Sequence, residues 1–102
     1  MQKGIIVPDQ KWVINLNGEK QFLIHKEECA ELIQAISKYQ RYKTASARDQ
    51  VIEEIADVMI CIEQLKLMCN IWDEEIQGEV DYKCRRTKDR YEKEIKNGEH
   101  SR

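Results

Sequence analysis

Apolar and polar residues recur along most of this chain with the three- and four-residue spacing of an α-helix, over three long segments. The first is expected from about Gly18 to Tyr39–Tyr42, with Asn17 as its N-cap, and carries Ile24, Leu32, Ala35, Ile36 and Tyr39 on one arc. Tyr42-Lys43-Thr44-Ala45-Ser46 interrupts the pattern. Ser46 followed by Asp49 resembles a capping box and opens a second helix from about Ala47 to Asn70. Its stripe holds Ala47, Val51, Val58, Cys61, Ile62, Leu65, Met68 and Trp72. Asp73 is the expected cap of a third helix, Glu74 to about Lys96, which Asn97-Gly98 ends. Gly78 weakens its first turns by about 1 kcal/mol relative to Ala. Residues 97–102 are expected to fray. Residues 1–17, with Ile5-Ile6-Val7, Pro8 and Trp12-Val13-Ile14, read as an irregular N-terminal arm, either strand-like or with a brief helix after Pro8.

The pattern predicts an all-α fold: one domain spanning 1–102, an antiparallel helical bundle of three to four helices. Each of the first two helices carries a second apolar arc, Phe22, Cys29 and Ile33 on one and Ile52, Ile55 and Met59 on the other. Three helices do not cover two faces each, so the bundle is expected to be completed by oligomerisation, as a homodimer or homotetramer.

Acids interrupt both stripes. Advancing about 100° per residue places Glu28 and Glu31 inside the first stripe and Glu54 and Asp57 inside the second, while Glu27 and Glu53 fall to the side. Both pairs have the i, i+3 spacing that makes neighbours on a helix surface. A single glutamate on an apolar stripe is usually a side chain reaching the rim or paired with lysine. Two matched pairs on successive helices are harder to dismiss, because burying an unpaired charge costs several kcal/mol and like charges repel. Such acids must be protonated, paired with bases, or bound to a cation. Oxygen-only ligands suit Mg²⁺, Mn²⁺ or Ca²⁺. No histidine stands at a Glu-x-x-His spacing on either stripe, which argues against a ferritin-like di-iron site. In an antiparallel hairpin, 28 and 31 face 54 and 57 only if the turn centres near residue 42 or 43. The first helix is therefore expected to end by about residue 40, or the connection to be asymmetric.

Composition narrows the classes. The chain has 102 residues, 35% charged and 41% hydrophobic, with one proline and four glycines. Its net charge of −2 does not suit a general nucleic-acid binder. No apolar run is long enough to cross a bilayer, and Met1-Gln2-Lys3-Gly4 shows no signal-peptide core, so a cytoplasmic location without membrane partners is expected. Cys29, Cys61, Cys69 and Cys84 form no C-x-x-C pair and are expected to be free thiols filling packing positions.

On the third helix Lys83, Arg86 and Arg90 share one side at spacings i, i+3 and i+7. Such a row is commonly a solvated face; it is also suited to phosphates. Trp12, Gln21, Phe22, His25 and Trp72 are candidates for stacking or edge contacts with a planar ligand, set against ordinary core packing for the aromatics. His25 is assigned no role.

Glu27-Glu28-Cys29-Ala30-Glu31 and Glu54-Ile55-Ala56-Asp57 resemble the E-E-x-x-E and E-x-x-D halves of the MazG-like nucleotide pyrophosphohydrolases, of the all-α NTP pyrophosphatase superfamily. Leu32 to Lys38 and Asp57 to Ile60 are similar to the runs that follow each motif. Lys83 to Tyr91 resembles the family's C-terminal K-x-x-(K/R)-N-x-x-R-Y element, with Thr87 where the family often has Asn. The likeness spans about Gln21 to Tyr91. It implies an Mg²⁺-dependent hydrolase, with Mn²⁺ an alternative, that cleaves a nucleoside or deoxynucleoside triphosphate between the α and β phosphates. The products are the monophosphate and pyrophosphate. Carried over by position, Glu28, Glu31, Glu54 and Asp57 are the implied metal ligands. Glu27 is a candidate proton acceptor. Lys83 and Arg86 would neutralise the leaving pyrophosphate, with Arg90, Gln21 and Trp12 as further substrate contacts. Near alternatives are a phosphoribosyl-ATP pyrophosphatase or a dUTPase-like enzyme. A more distant one is a non-catalytic helical partner protein that binds metal or nucleotide.

Overall fold

The computed structural model describes residues 4–98, and all regular structure among them is helical. Helix α1 spans Lys11–Asn17 and a 3₁₀ turn Gly18–Lys20; α2 spans Gln21–Tyr42, α3 Ala45–Met68 and α4 Asp73–Lys96. The chain divides into two compact units, Met1–Asn70 and Ile71–Arg102. The first unit is a hairpin of α2 and α3 with α1 against α3. The second contains α4.

The segment 11–17 is a helix, the second of the two readings left open for residues 1–17. Its seven residues are too few to be stable alone, and its N-cap, Gln10, makes no side-chain capping bond. Tertiary contact holds it instead. Asn17 does not cap α2; its Nδ2 donates to Gln21 Oε1 at 2.7 Å.

The hairpin reverses within Lys43 and Thr44. Lys43 takes a left-handed conformation (φ 51°) and its N–H closes the helix on Tyr39 O at 2.9 Å. Thr44 is extended and its Oγ1 accepts from Ala47 N at 3.0 Å, so it, not Ser46, is the cap of α3. α2 ends at Tyr42, within the span expected from periodicity and two residues beyond the limit set by the alignment argument, yet the turn stays centred next to Tyr42–Lys43. Gln21 meets Gln64, and Glu28 and Glu31 meet Asp57 and Glu54. Each pair is mirrored about that junction, so the helices are antiparallel and in the alignment the acidic stripes require.

The seam between them is thin. Its fully buried apolar residues are small, Ala35, Ala47 and Cys61, and no large side chain is fully buried among the described residues. Four polar side chains share the interior with them: Gln10, Gln21, His25 and Gln64, all at most 9% exposed. Gln10 Nε2 donates to Pro8 O (2.9 Å), and Gln64 Nε2 donates to Gln10 Oε1 (2.9 Å). Gln64 Oε1 then accepts from Gln21 Nε2 (3.0 Å) and from His25 Nε2 (2.9 Å). The Pro8 carbonyl can only accept, so it sets the direction of every bond in the chain and places the His25 proton on Nε2. An unsatisfied buried polar group costs about 1–3 kcal/mol, so this network penalises any arrangement that separates its members.

Of the cysteines only Cys61 is buried; Cys29, Cys69 and Cys84 are exposed free thiols, contrary to the expected packing role. Trp72 does not belong to the α3 stripe. It is the N-cap residue of α4, 67% exposed, where Asp73 was expected, and its N–H donates to Glu75 Oε1 at 2.9 Å. This satisfies an otherwise unpaired amide at the helix start.

Replacing Thr44 by Ala removes the side-chain acceptor at the start of α3. The expected result is a loss of about 1 kcal/mol, measured as a lower urea midpoint with an unchanged slope.

Candidate metal centre

Glu28 on α2 and Glu54 and Asp57 on α3 each present a carboxylate oxygen within 4.8 Å of the other two. Three of the four sequence-predicted ligands thus converge. The fourth, Glu31, is exposed and stands outside this triad, beside Glu54. Glu28 faces Asp57 across the seam.

The electrostatics agree. Desolvation first, then the Asp57 hydrogen bond and the charges of Asp57, Glu31 and Glu54, push the Glu28 carboxyl from the ordinary 4.5 up to about 7. Glu54 is raised as well, by desolvation and then by Glu31, Asp57 and Glu53. Burial and the neighbouring acids all push these two groups upward. Glu28 Oε2 and Glu54 Oε1 are buried and have no hydrogen-bond partner. Two orphaned carboxylate oxygens beside a third carboxylate form an all-oxygen donor set, which fits a hard divalent cation.

A cleft of about 250 Å³ adjoins the acids, lined by Glu31, Gln34, Ala35, Lys38, Gln50 and Glu54. Lys38, on α2, is the basic side chain among them, and the sequence reading gave it no role. Burial pushes the neighbouring Cys61 thiol up to about 11, helped by Glu28, Cys29 and Asp57, so it stays protonated and is no nucleophile.

The other predicted residues are placed differently. Glu27 is exposed, off the acidic face. Gln21 is 5% exposed, and both ends of its amide are bonded within the hairpin, to Gln64 and Asn17. Both bonds fix the orientation of its amide within the hairpin. Trp12 on α1 is 67% exposed. Phe22 packs edge-on to the His25 ring, with centroids 6.0 Å apart. Lys83, Arg86 and Arg90 are exposed on α4, in the second unit, and the Arg86 guanidinium lies 5.5 Å from the Tyr82 ring centroid.

The sequence reading missed the polar network beside the acids. Its signal was present: Gln21, His25 and Glu28 follow i, i+4, i+7 on α2, as Asp57, Cys61 and Gln64 do on α3. No family model, curated protein or solved structure matches this chain.

A carboxyl raised in the folded state binds its proton more tightly there than in the unfolded chain. Between pH 4.5 and about 7 the native state therefore holds more protons, and stability falls as pH rises through that window. The metal-free protein is expected to melt at a lower temperature at pH 8 than at pH 5, and Glu28→Gln to flatten that dependence. A melting temperature that rises between pH 5 and 8 in both proteins would contradict the charge clustering.

Proposed function

We propose that this protein is a divalent-cation-dependent nucleotide pyrophosphohydrolase of the MazG-like kind. The reading is carried by one observation: acids predicted from two separate sequence motifs converge on one point of the α2–α3 seam. Glu28, Glu54 and Asp57 would hold Mg²⁺ or Mn²⁺, with Glu31 against Glu54 as a further ligand or its positioner. The bound cation would offset triphosphate charge and acidify a water for attack between the α and β phosphates. The cleft is at or below the small end of ligand pockets. It suits phosphate groups, and the nucleoside would then lie outside it. Lys38 borders that cleft and adds one positive charge for the phosphates.

The remaining roles rest on the family resemblance alone: Glu27 as proton acceptor, Lys83, Arg86 and Arg90 as phosphate contacts, and Trp12 as a stacking surface. Trp12 favours that role by its exposure. The exposed Ile33 on α2, and Ile52 and Ile55 on α3, occupy the second apolar arcs and support a homo-oligomeric helical bundle, dimer or tetramer.

The decisive measurement is pyrophosphate release from each NTP and dNTP with Mg²⁺. At least one nucleotide is expected to turn over. Glu54→Gln and Asp57→Asn should each lower kcat by a factor of about 100 or more, since each removes a charged ligand. Wild-type turnover in both variants would remove these residues from the centre. Thermal stabilisation by nucleotide without any pyrophosphate would instead favour a binding protein.

A further inference from the structure

The alignment of α2 on α3 is fixed at two places, and the acids lie between them. At one end the chain turns at Lys43 and Thr44, about three helical turns from Glu31. At the other, Gln64 bonds to Gln21 and His25 about two turns from Asp57 and Glu28. Between these points the fully buried apolar residues are the small Ala35, Ala47 and Cys61, and larger ones such as Leu32, Val51 and Val58 are only half-buried, so little interlocks. Packing therefore specifies the alignment weakly, and polar pairing is the strongest directional constraint on the open end. A buried polar residue in an otherwise apolar helix seam is a known device for setting register.

We propose that Gln64, bonded to Gln21 and His25 across the hairpin, is a positioning residue that aligns α2 on α3 and so sets the spacing of Glu28, Glu54 and Asp57. The alignment half of this inference stands by itself; the consequence for cation binding rests on the centre proposed above. Gln64 touches none of the acids in the network described, and its second amide group reaches Gln10 rather than the site. The Gln10 bond thus ties α1 to α3, while the Gln21 and His25 bonds tie α2 to α3. These two roles are separable by mutation.

The test uses the whole 102-residue chain with Cys29, Cys69 and Cys84 changed to Ser and Cys61 to Ala. Spin labels go on Leu23→Cys and Leu67→Cys, both exposed near the open end of the hairpin. Without added Gln64 or Gln10 substitutions, and with Gln10→Leu, a single narrow distance is expected by pulsed electron resonance. Gln64→Leu should broaden or shift it while circular dichroism stays helical. If Gln64→Leu does not fold, Gln21→Leu, which removes one of the two cross-hairpin partners, takes its place. An unchanged narrow distance in the folded variant overturns the proposal. Separately, Mn²⁺ titration of the unlabelled proteins should show about tenfold weaker binding for Gln64→Leu and wild-type binding for Gln10→Leu. Equal Mn²⁺ affinity in Gln64→Leu and wild type overturns the positioning role. Absence of Mn²⁺ binding by the wild type overturns that role together with the proposed centre, and the distance measurement still decides the alignment.

Discussion

Repulsion among carboxylates on one helix seam is the constraint to which the rest of the first unit answers. Glu28, Glu54 and Asp57 approach closely, and the neighbours that shift Glu28 and Glu54 all disfavour ionisation. A fold selected for stability alone would place alanine or leucine there. Retaining acids instead means that something else holds the helices together against the charge. A tight two-residue turn does so at one end, and a hydrogen-bonded polar cluster does so at the other. The small buried residues Ala35, Ala47 and Cys61 let the backbones approach near the acids. The same closeness that makes the site costly without a cation brings its oxygens within reach of one ion.

Protonation and cation binding are alternative answers to one electrostatic problem. The raised Glu28 and Glu54 carboxyls favour their protonated forms. In the proposed centre a divalent ion would take the place of those protons, so its binding would be coupled to their release and would strengthen as pH rises. That trend and the fall in stability have a common origin in the raised carboxyls.

Much of this was legible from periodicity. The three long helices follow from apolar spacing, and the acids could be assigned to the seam because helical geometry leaves little freedom to residues spaced by three or four. The less legible parts depended on choices between near-equivalent local signals or on distant partners. Thr44 and Ser46 are both good caps two residues apart, and the left-handed Lys43 decided between them by reversing the chain early. Helix α1 has no capping bond at Gln10 and is held by Gln64, far along the sequence. The burial of Gln21 depends on distant Gln64 accepting from its amide and on Asn17 donating to it. The three exposed cysteines escaped a rule that holds for the residue type on average.

The polar cluster also bears on why a hairpin of this kind tolerates its thin core. Apolar packing gains free energy with area but is indifferent to direction, and small side chains discriminate poorly between neighbouring alignments. Hydrogen bonds contribute less net stability, yet they exact a large penalty when a buried partner is lost. Pro8 O at the end of the chain can only accept, so the amide of Gln10, then that of Gln64, has a single satisfying orientation. That leaves the Gln64 carbonyl to meet two donors on α2, Gln21 and His25. These two bonds tie α3 directly to the helix that carries Glu28. The seam can therefore be weak in apolar area and still definite in alignment, which is the property a carboxylate centre built from two helices requires.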